Sequence, residues 1–173
     1  IPVHCITERR NKIMKKIRVG MGYDVHQLEE GRAFWLGGIN LPAPKGAVGH
    51  SDADVLIHAI CDALLGAADM RDIGFHFANN DNRWKGMDSK FFLKEVTSML
   101  SKEGWKINNV DCTICLEQPK VNPHIATMKS VLAPLMGIEE GDVSIKATTS
   151  EKLGFVGRTE GVNAWAVALI VKE

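Results

Sequence analysis

Two histidines and a carboxylate offer the first chemistry. Asp24 and His26 stand two apart at the end of an extended segment, so both side chains leave the same face of a strand. His58 falls in an apolar run in which Asp54, His58 and Asp62 recur at i, i+4 and i+8, a polar stripe down one side of a helix. Two imidazoles and one carboxylate suit Zn²⁺ and leave a fourth position open, as a catalytic zinc requires. Asp62 or Asp54 is then expected to hydrogen-bond the far nitrogen of His58. A surface turn with a scattered histidine, beside a helix stripe that faces water, accounts for the same residues, and spacing does not choose between the two.

The run Lys146-Ala-Thr148-Thr149-Ser150-Glu151-Lys152 is the densest hydroxyl cluster in the chain. Three hydroxyls beside an acid suit phosphate oxygens bridged by a hard divalent cation, although a capping box from Thr148 to Glu151 explains them equally well. Gly154-Phe155-Val156-Gly157-Arg158 follows, allowing close backbone approach and supplying a guanidinium. Cys112-x-x-Cys115 reads as structural, because an odd offset on a strand sends the two sulfurs to opposite faces and no second pair follows. GxxxxGK[ST], strand-GxGxxG and GxSxG strings are absent, so the common nucleotide-fold signatures and the hydrolase elbow are missing.

The elements that must position these groups follow from periodicity and breakers. Ile17 to Tyr23 is β-compatible and closes at Asp24-Val25-His26, and a short strand covers Phe34 to Leu36. Ser51 or Asp52 is expected to cap a helix reaching about Ala68. Residues 69–87 show no period, a loop long enough to need a job. Asp88 caps a helix of about fifteen residues that Gly104 stops; Val110 to Leu116 alternates as a strand; Pro123 opens a helix ended by Gly137. Val143 to Thr148 and Val162 to Lys172 complete the pattern, an α/β (α+β sandwich) chain with a single mixed sheet and helices on one face.

Composition bounds the partners. The chain has 173 residues, 45% hydrophobic and 24% charged, with 21 basic and 21 acidic side chains. One domain is expected, and neutrality argues against a broad nucleic-acid or membrane surface. No apolar stretch reaches the roughly 18 residues of a membrane span. Four cysteines, three of them inside apolar segments, suggest reduced, intracellular thiols rather than a disulfide framework. Residues 1–13, with Arg9, Arg10 and Lys12 against Glu8, read as a leader or linker remnant before Met14 and a domain over 14–173. A transit peptide is the competing reading. Without those residues the balance is 18 basic to 20 acidic, so positive charge for an anionic ligand must be focused.

Six strings occur in order along the chain: Arg18-Val-Gly-Met-Gly-Tyr-Asp-Val-His26, Gly49-His-Ser-Asp-Ala-Asp-Val-Leu-Ile-His58, Asp62-Ala-Leu-Leu-Gly-Ala-Ala68, Asp72-Ile-Gly74, Pro119-Lys120, and Lys146-Ala-Thr-Thr-Ser-Glu-Lys-Leu-Gly-Phe155 with Gly157-Arg158. Together they resemble the 2-C-methyl-D-erythritol 2,4-cyclodiphosphate synthases of the non-mevalonate isoprenoid pathway, from about Lys15 to Lys172. The resemblance implies that Asp24, His26 and His58 bind zinc, that His50 and Ser51 contact phosphate, and that His50 and Thr149 stabilise the transition state. It implies a second ion, Mg²⁺ or Mn²⁺, at Glu151. Asp72, Ile73 and Gly74 would hold the methylerythritol beside a flap with Phe77 and Asp81. Leu116, Glu117, Gln118, Pro119, Lys120, Val121 and Asn122 would cradle cytidine. Val25, Thr148, Ser150, Phe155 and Arg158 join the substrate contacts, with Arg158 and Glu160 lining a central channel that accepts isoprenoid diphosphates.

The implied assembly is a homotrimer with active sites between subunits, three sheets packing around an axis, in a bacterial cytoplasm or a plastid stroma. The implied reaction converts a 4-diphosphocytidyl-methylerythritol 2-phosphate to the cyclic diphosphate and releases CMP. A zinc-dependent phosphohydrolase and a non-catalytic trimeric prenyl-diphosphate-binding protein are the alternatives. In the flap, Phe77-Ala78-Asn79-Asn80-Asp81 lacks the proline and one acid usual in relatives, so a looser loop is expected.

Overall fold

A computed structural model describes residues 16–172; the expected leader over 1–13 lies outside them. Strand β1 (Lys16–Glu30) runs past the expected stop at His26 and is the longest element. Two glycines shape its contact with the helix that follows. A Cβ at Gly20 would lie 2.1 Å from the Ala63 carbonyl oxygen, and one at Gly22 would lie 2.0 Å from that of Ala59. No side chain fits there, so strand and helix meet backbone to backbone.

Short strands β2 (Phe34–Leu36) and β3 (Ile39–Leu41) form a separate hairpin, and β4 (Lys45–Ala47) pairs with the end of β1. Helix α1 (Val55–Ala68) is buried along nearly its whole circumference, from Val55 and Leu56 to Leu64 and Leu65. Asp54, not Ser51 or Asp52, is its N-cap, accepting from the Ile57 amide. The expected loop over 69–87 holds one-turn α2 (Ile73–His76) and a 3₁₀ turn over Asn82–Trp84. Helix α3 (Ser89–Lys102) starts at the expected cap, Asp88. Strand β5 (Lys106–Cys115), helix α4 (Ile125–Met136), strand β6 (Val143–Thr148), the turn α5 (Gly154–Gly157) and strand β7 (Gly161–Lys172) follow. Gly137 ends α4 in the left-handed conformation, as a C-terminal glycine does.

The main sheet has the order β4-β1-β7-β5-β6, antiparallel except for the β5–β6 pair, which α4 crosses over. The expectation of a single mixed sheet holds for these five strands. Residues of one parity, among them Val110, Cys112, Ile114, Val162, Ala164, Ala166 and Ala168, are buried against the helices. The opposite parity leaves Ile17, Val19, Met21, Tyr23, Val25, Trp165 and Val167 exposed, Met21 by 68%. Seven large apolar side chains on one open sheet face exceed the scattered exposure of ordinary surfaces. Among the described residues no helix is long and apolar enough to cross a membrane.

Candidate active site

Asp24 and His26 leave β1 on the helix side of the sheet and meet His58 from α1. His26 Nε2 and His58 Nδ1 each lie 3.0 Å from Asp24 Oδ2, and 3.2 Å from one another. Three donors bonded to one tetrahedral ion at 2.0–2.1 Å stand about 3.3 Å apart. The tripod therefore has the spacing of a metal's ligands, and these three residues form the group able to hold one among the described residues. Burial alone would raise the Asp24 carboxyl, but hydrogen bonds and charge from His26 and His58 overcome it and hold Asp24 well below the usual carboxylate range. Burial likewise pulls the His26 imidazole down, and Asp24 with the Val48 carbonyl lifts it above its ordinary value.

The tripod forms the floor of a cavity of about 320 Å³ whose walls include Gly49, His50, Ser51, Asp62, Ile73, Gly74, Phe77, Asn79, Trp84 and Phe92. Of the residues expected there, Asp24, His26, His50, Ser51, Ile73, Gly74 and Phe77 all face it. Phe77 is pinned among Trp84, Phe91 and Phe92, with ring centroids 5.0 to 6.5 Å away. An aromatic cluster thus holds Phe77, the first residue of the flap. Asp81 turns its carboxylate onto Arg83, and its main-chain oxygen sits 3.0 Å from His50 Nε2. Asp72 caps α2 by accepting from the Phe75 amide and is not among the residues lining the cavity. The Val25 side chain lies on the open face of the sheet, by strand alternation from its neighbours.

A second cavity, about 120 Å³, is walled by Leu116, Pro119, Lys120, Val121, Asn122, Ala147, Thr148 and Thr149. Glu117 organises its rim: its carboxylate accepts from the Ser150 amide and hydroxyl and from the Lys152 amide. Those amides hold Glu117 below the usual glutamate range. Thr149 donates to Glu151 at 3.0 Å, and Arg158 forms a two-bond fork with Glu160. Phe155 and Arg158 line neither cavity.

A family model described as the YgbB family matches residues 17–171. The chain belongs to the YgbB family. A Cytophaga hutchinsonii protein named 2-C-methyl-D-erythritol 2,4-cyclodiphosphate synthase is 68% identical over 91% of this chain and 99% of its own length. A solved structure of a 2C-methyl-D-erythritol-2,4-cyclodiphosphate synthase in a form bound to CDP superimposes with a TM-score of 0.82 at 38% identity. That match covers 88% of this chain and 99% of the other. The bifunctional IspDF of Campylobacter jejuni gives a TM-score of 0.89 at 34% identity over 92% of this chain, which spans 43% of that longer protein. The family makes this chain an enzyme, a lyase.

The structure of this YgbB family member also corrects the expected support of His58. Asp62 accepts from the Ile73 amide at 2.7 Å instead of bonding the imidazole, because the helix register carries it to the next loop. Asp54 is fully buried and accepts from the amides of Gly37, Gly38 and Ile57; it ties the β2–β3 turn to α1 and faces no solvent. Burial pushes its carboxyl up while those amides pull it back. Ser89 occupies the far side of His58, with Oγ 2.9 Å from Nε2. Sequence reasoning missed Ser89, Asn79, Trp84 and Phe92; only the aromatic density over 75–92 hinted at the wall. Burial raises the Cys61 and Cys112 thiols, Cys112 to about 12, which agrees with a structural role.

Proposed function

We propose that the chain converts 4-diphosphocytidyl-2-C-methyl-D-erythritol 2-phosphate to 2-C-methyl-D-erythritol 2,4-cyclodiphosphate and releases CMP. The observation that carries this reading is the Asp24–His26–His58 tripod at the floor of the larger cavity, in a chain of this family. The substrate supplies its own nucleophile. A 2-phosphate oxygen forms a bond to the β-phosphorus as the bond to the bridging oxygen breaks, and CMP leaves with that electron pair. The phosphate monoester is ionised near neutral pH, so no strong base is required to generate the nucleophile.

The cost lies in bringing anion to anion and in orienting the two phosphates. His50 and Ser51 on the cavity wall suit phosphate oxygens, and Ile73 and Gly74 suit the polyol between them. Zn²⁺ held by Asp24, His26 and His58, with Mg²⁺ or Mn²⁺ at Glu151, would supply Lewis acidity and charge neutralisation. Thr149 would donate to the diphosphate, and Leu116 to Asn122 would cradle the cytidine.

The two cavities share no lining residue. The cross-sheet row Val25–Asn163–Cys115–Thr148 spans three interstrand steps, roughly 14 Å at about 4.8 Å each. A homotrimer whose open sheet faces pack around an axis would bring one copy's tripod to the next copy's cytidine cavity. The exposed row from Ile17 to Val25 and the buried Asn163 Oδ1, which lacks a partner among the described residues, favour such packing. A bacterial cytoplasm is the expected setting.

Product analysis with metal quantitation tests the reading. Cyclic diphosphate plus CMP supports it, and a linear phosphate would indicate a phosphohydrolase. Binding of prenyl diphosphate without turnover would indicate a scaffold. His58→Ala is expected to lose zinc and turnover while keeping its fold; unchanged turnover would refute the assignment.

A further inference from the structure

His58 can serve the tripod through Nδ1 only if its proton sits on Nε2, because a neutral imidazole offers one lone pair. For His26 the choice is made by a backbone oxygen: Nδ1 lies 2.9 Å from the Val48 carbonyl. That acceptor requires an N–H at Nδ1, so the lone pair falls at Nε2, toward Asp24 and His58. His58 needs the opposite tautomer, and among the described residues no carbonyl or carboxylate is hydrogen-bonded to its Nε2. Its neighbours there are two hydroxyls, Ser89 Oγ at 2.9 Å and Ser51 Oγ at 3.3 Å. A hydroxyl can donate or accept, and by itself fixes nothing.

Asp52 removes that freedom. The Ser89 hydroxyl donates to Asp52 Oδ1 in a short hydrogen bond, and the Ser89 amide donates to Oδ2 at 3.0 Å. The Asp54 amide donates to Oδ1 at 3.2 Å. With its proton committed to the carboxylate, Ser89 Oγ presents only lone pairs to His58. We propose that Asp52 and Ser89 form a positioning relay that fixes His58 as the Nε2–H tautomer and so points the Nδ1 lone pair into the metal tripod. Both are positioning residues, and the inference rests on the metal-site reading above.

Two features separate Ser89 from Ser51. Ser89 is fully buried and does not line the cavity, whereas Ser51 does. Its hydroxyl thus touches His58 and Asp52 and has no access to substrate. Ser89 is also the first residue of α3, so the relay ties that helix to the loop before α1 and to the tripod.

The test reads zinc affinity of metal-stripped protein by competition with a chromogenic chelator. Ser89→Ala is expected to weaken Zn²⁺ binding by about 10- to 100-fold, the usual effect of removing a group that orients a ligand. Asp52→Ala is expected to weaken it comparably, because the Ser89 hydroxyl, freed of its acceptor, can then donate to Nε2 and reverse the tautomer. The double variant should bind no more weakly than Ser89→Ala alone. Unchanged affinity in Ser89→Ala, or additive losses in the double variant, would overturn the relay while leaving the metal site standing. Failure of the unsubstituted protein to bind zinc would overturn the metal site as well. Should Ser89→Ala not fold, nitrogen-15 NMR of the zinc-loaded unsubstituted protein decides. A His58 proton on Nε2 supports the relay, and one on Nδ1 refutes it.

Discussion

Gly22→Ala is a one-carbon change with a large expected effect, because the new Cβ would sit 2.0 Å from the Ala59 carbonyl oxygen and 2.6 Å from the Ala63 nitrogen. A carbon and an oxygen approach no closer than about 3.3 Å. The strand must therefore retreat by about 1.3 Å, since both obstacles are helix backbone that no rotamer change can move. Overpacking of this kind costs about 3 kcal/mol, the upper end of the common range, against a total stability of about 5–15 kcal/mol. For a chain of this size that is a fall in Tm of about 6–12 °C. The same retreat opens the tripod. Asp24 and His26 ride on β1 while His58 rides on α1, and their donors stand 3.0 to 3.2 Å apart. An extra ångström between strand and helix takes the set beyond the edge of a zinc tetrahedron. Urea unfolding of the metal-free protein and zinc competition on the folded protein read the two consequences separately. A Gly22→Ala protein within 0.5 kcal/mol of the parent, with unaltered zinc affinity, would refute this account of the β1–α1 contact.

Met21→Asp places a charge in the middle of the open apolar row, where Met21 is 68% exposed. It should leave the fold intact and lower the oligomeric state seen by sedimentation. Glu117→Gln should destabilise the loop over 150–152, and the loss should depend on pH. Because the folded-state carboxyl lies below its ordinary value of 4.5, its contribution is present above that value and disappears as pH falls through the depressed one. The stability gap between parent and variant should therefore close in acid; a gap constant with pH would count against the bonds to Ser150 and Lys152. Thiol titration of the folded protein at neutral pH should leave Cys61 and Cys112 unmodified until denaturant is added, since burial raises both thiols.

The elements were legible where periodicity and breakers agreed. Asp88 and Gly137 bracket helices as their types dictate, and the strand expected over Val143 to Thr148 coincides with β6. Strand β1 runs beyond the expected stop at His26: three of the four residues over 27–30 are polar, yet Leu28 to Glu30 pair with β4 and Leu28 joins the core. The tripod could be suspected from D-x-H and a helical histidine, but its closure depends on Gly20 and Gly22 letting β1 approach α1, a distance that spacing does not encode. Asp62 misled because a polar stripe at i+4 looks alike whether it serves an imidazole or the amide of Ile73. Ser89 gave no signal at all. A serine after an aspartate cap is ordinary helix-start chemistry, and only burial and a neighbour 31 residues away in sequence give it a second task.

The metal tripod therefore depends on two contacts that reach it from different directions. Packing of β1 on α1 sets how far apart the donors stand, and the hydroxyl of α3 sets which nitrogen of His58 faces inward. A carboxylate bonded directly to Nε2 would fix the tautomer equally well, but it would bury a charge against the apolar ring of Phe92, 6.3 Å from the imidazole, at a desolvation cost of several kcal/mol. Inserting Ser89 moves that charge one hydrogen bond outward to Asp52, which keeps partial contact with solvent and two further amide donors. The far side of His58 thereby adds no carboxylate in direct contact with the imidazole, and Asp24 is the one acid within the tripod itself. Residues 14–173 carry two more acids than bases, so under the proposed function a polyanionic substrate would rely on the field of the metal, and an acid kept one hydrogen bond away from His58 would spare that field.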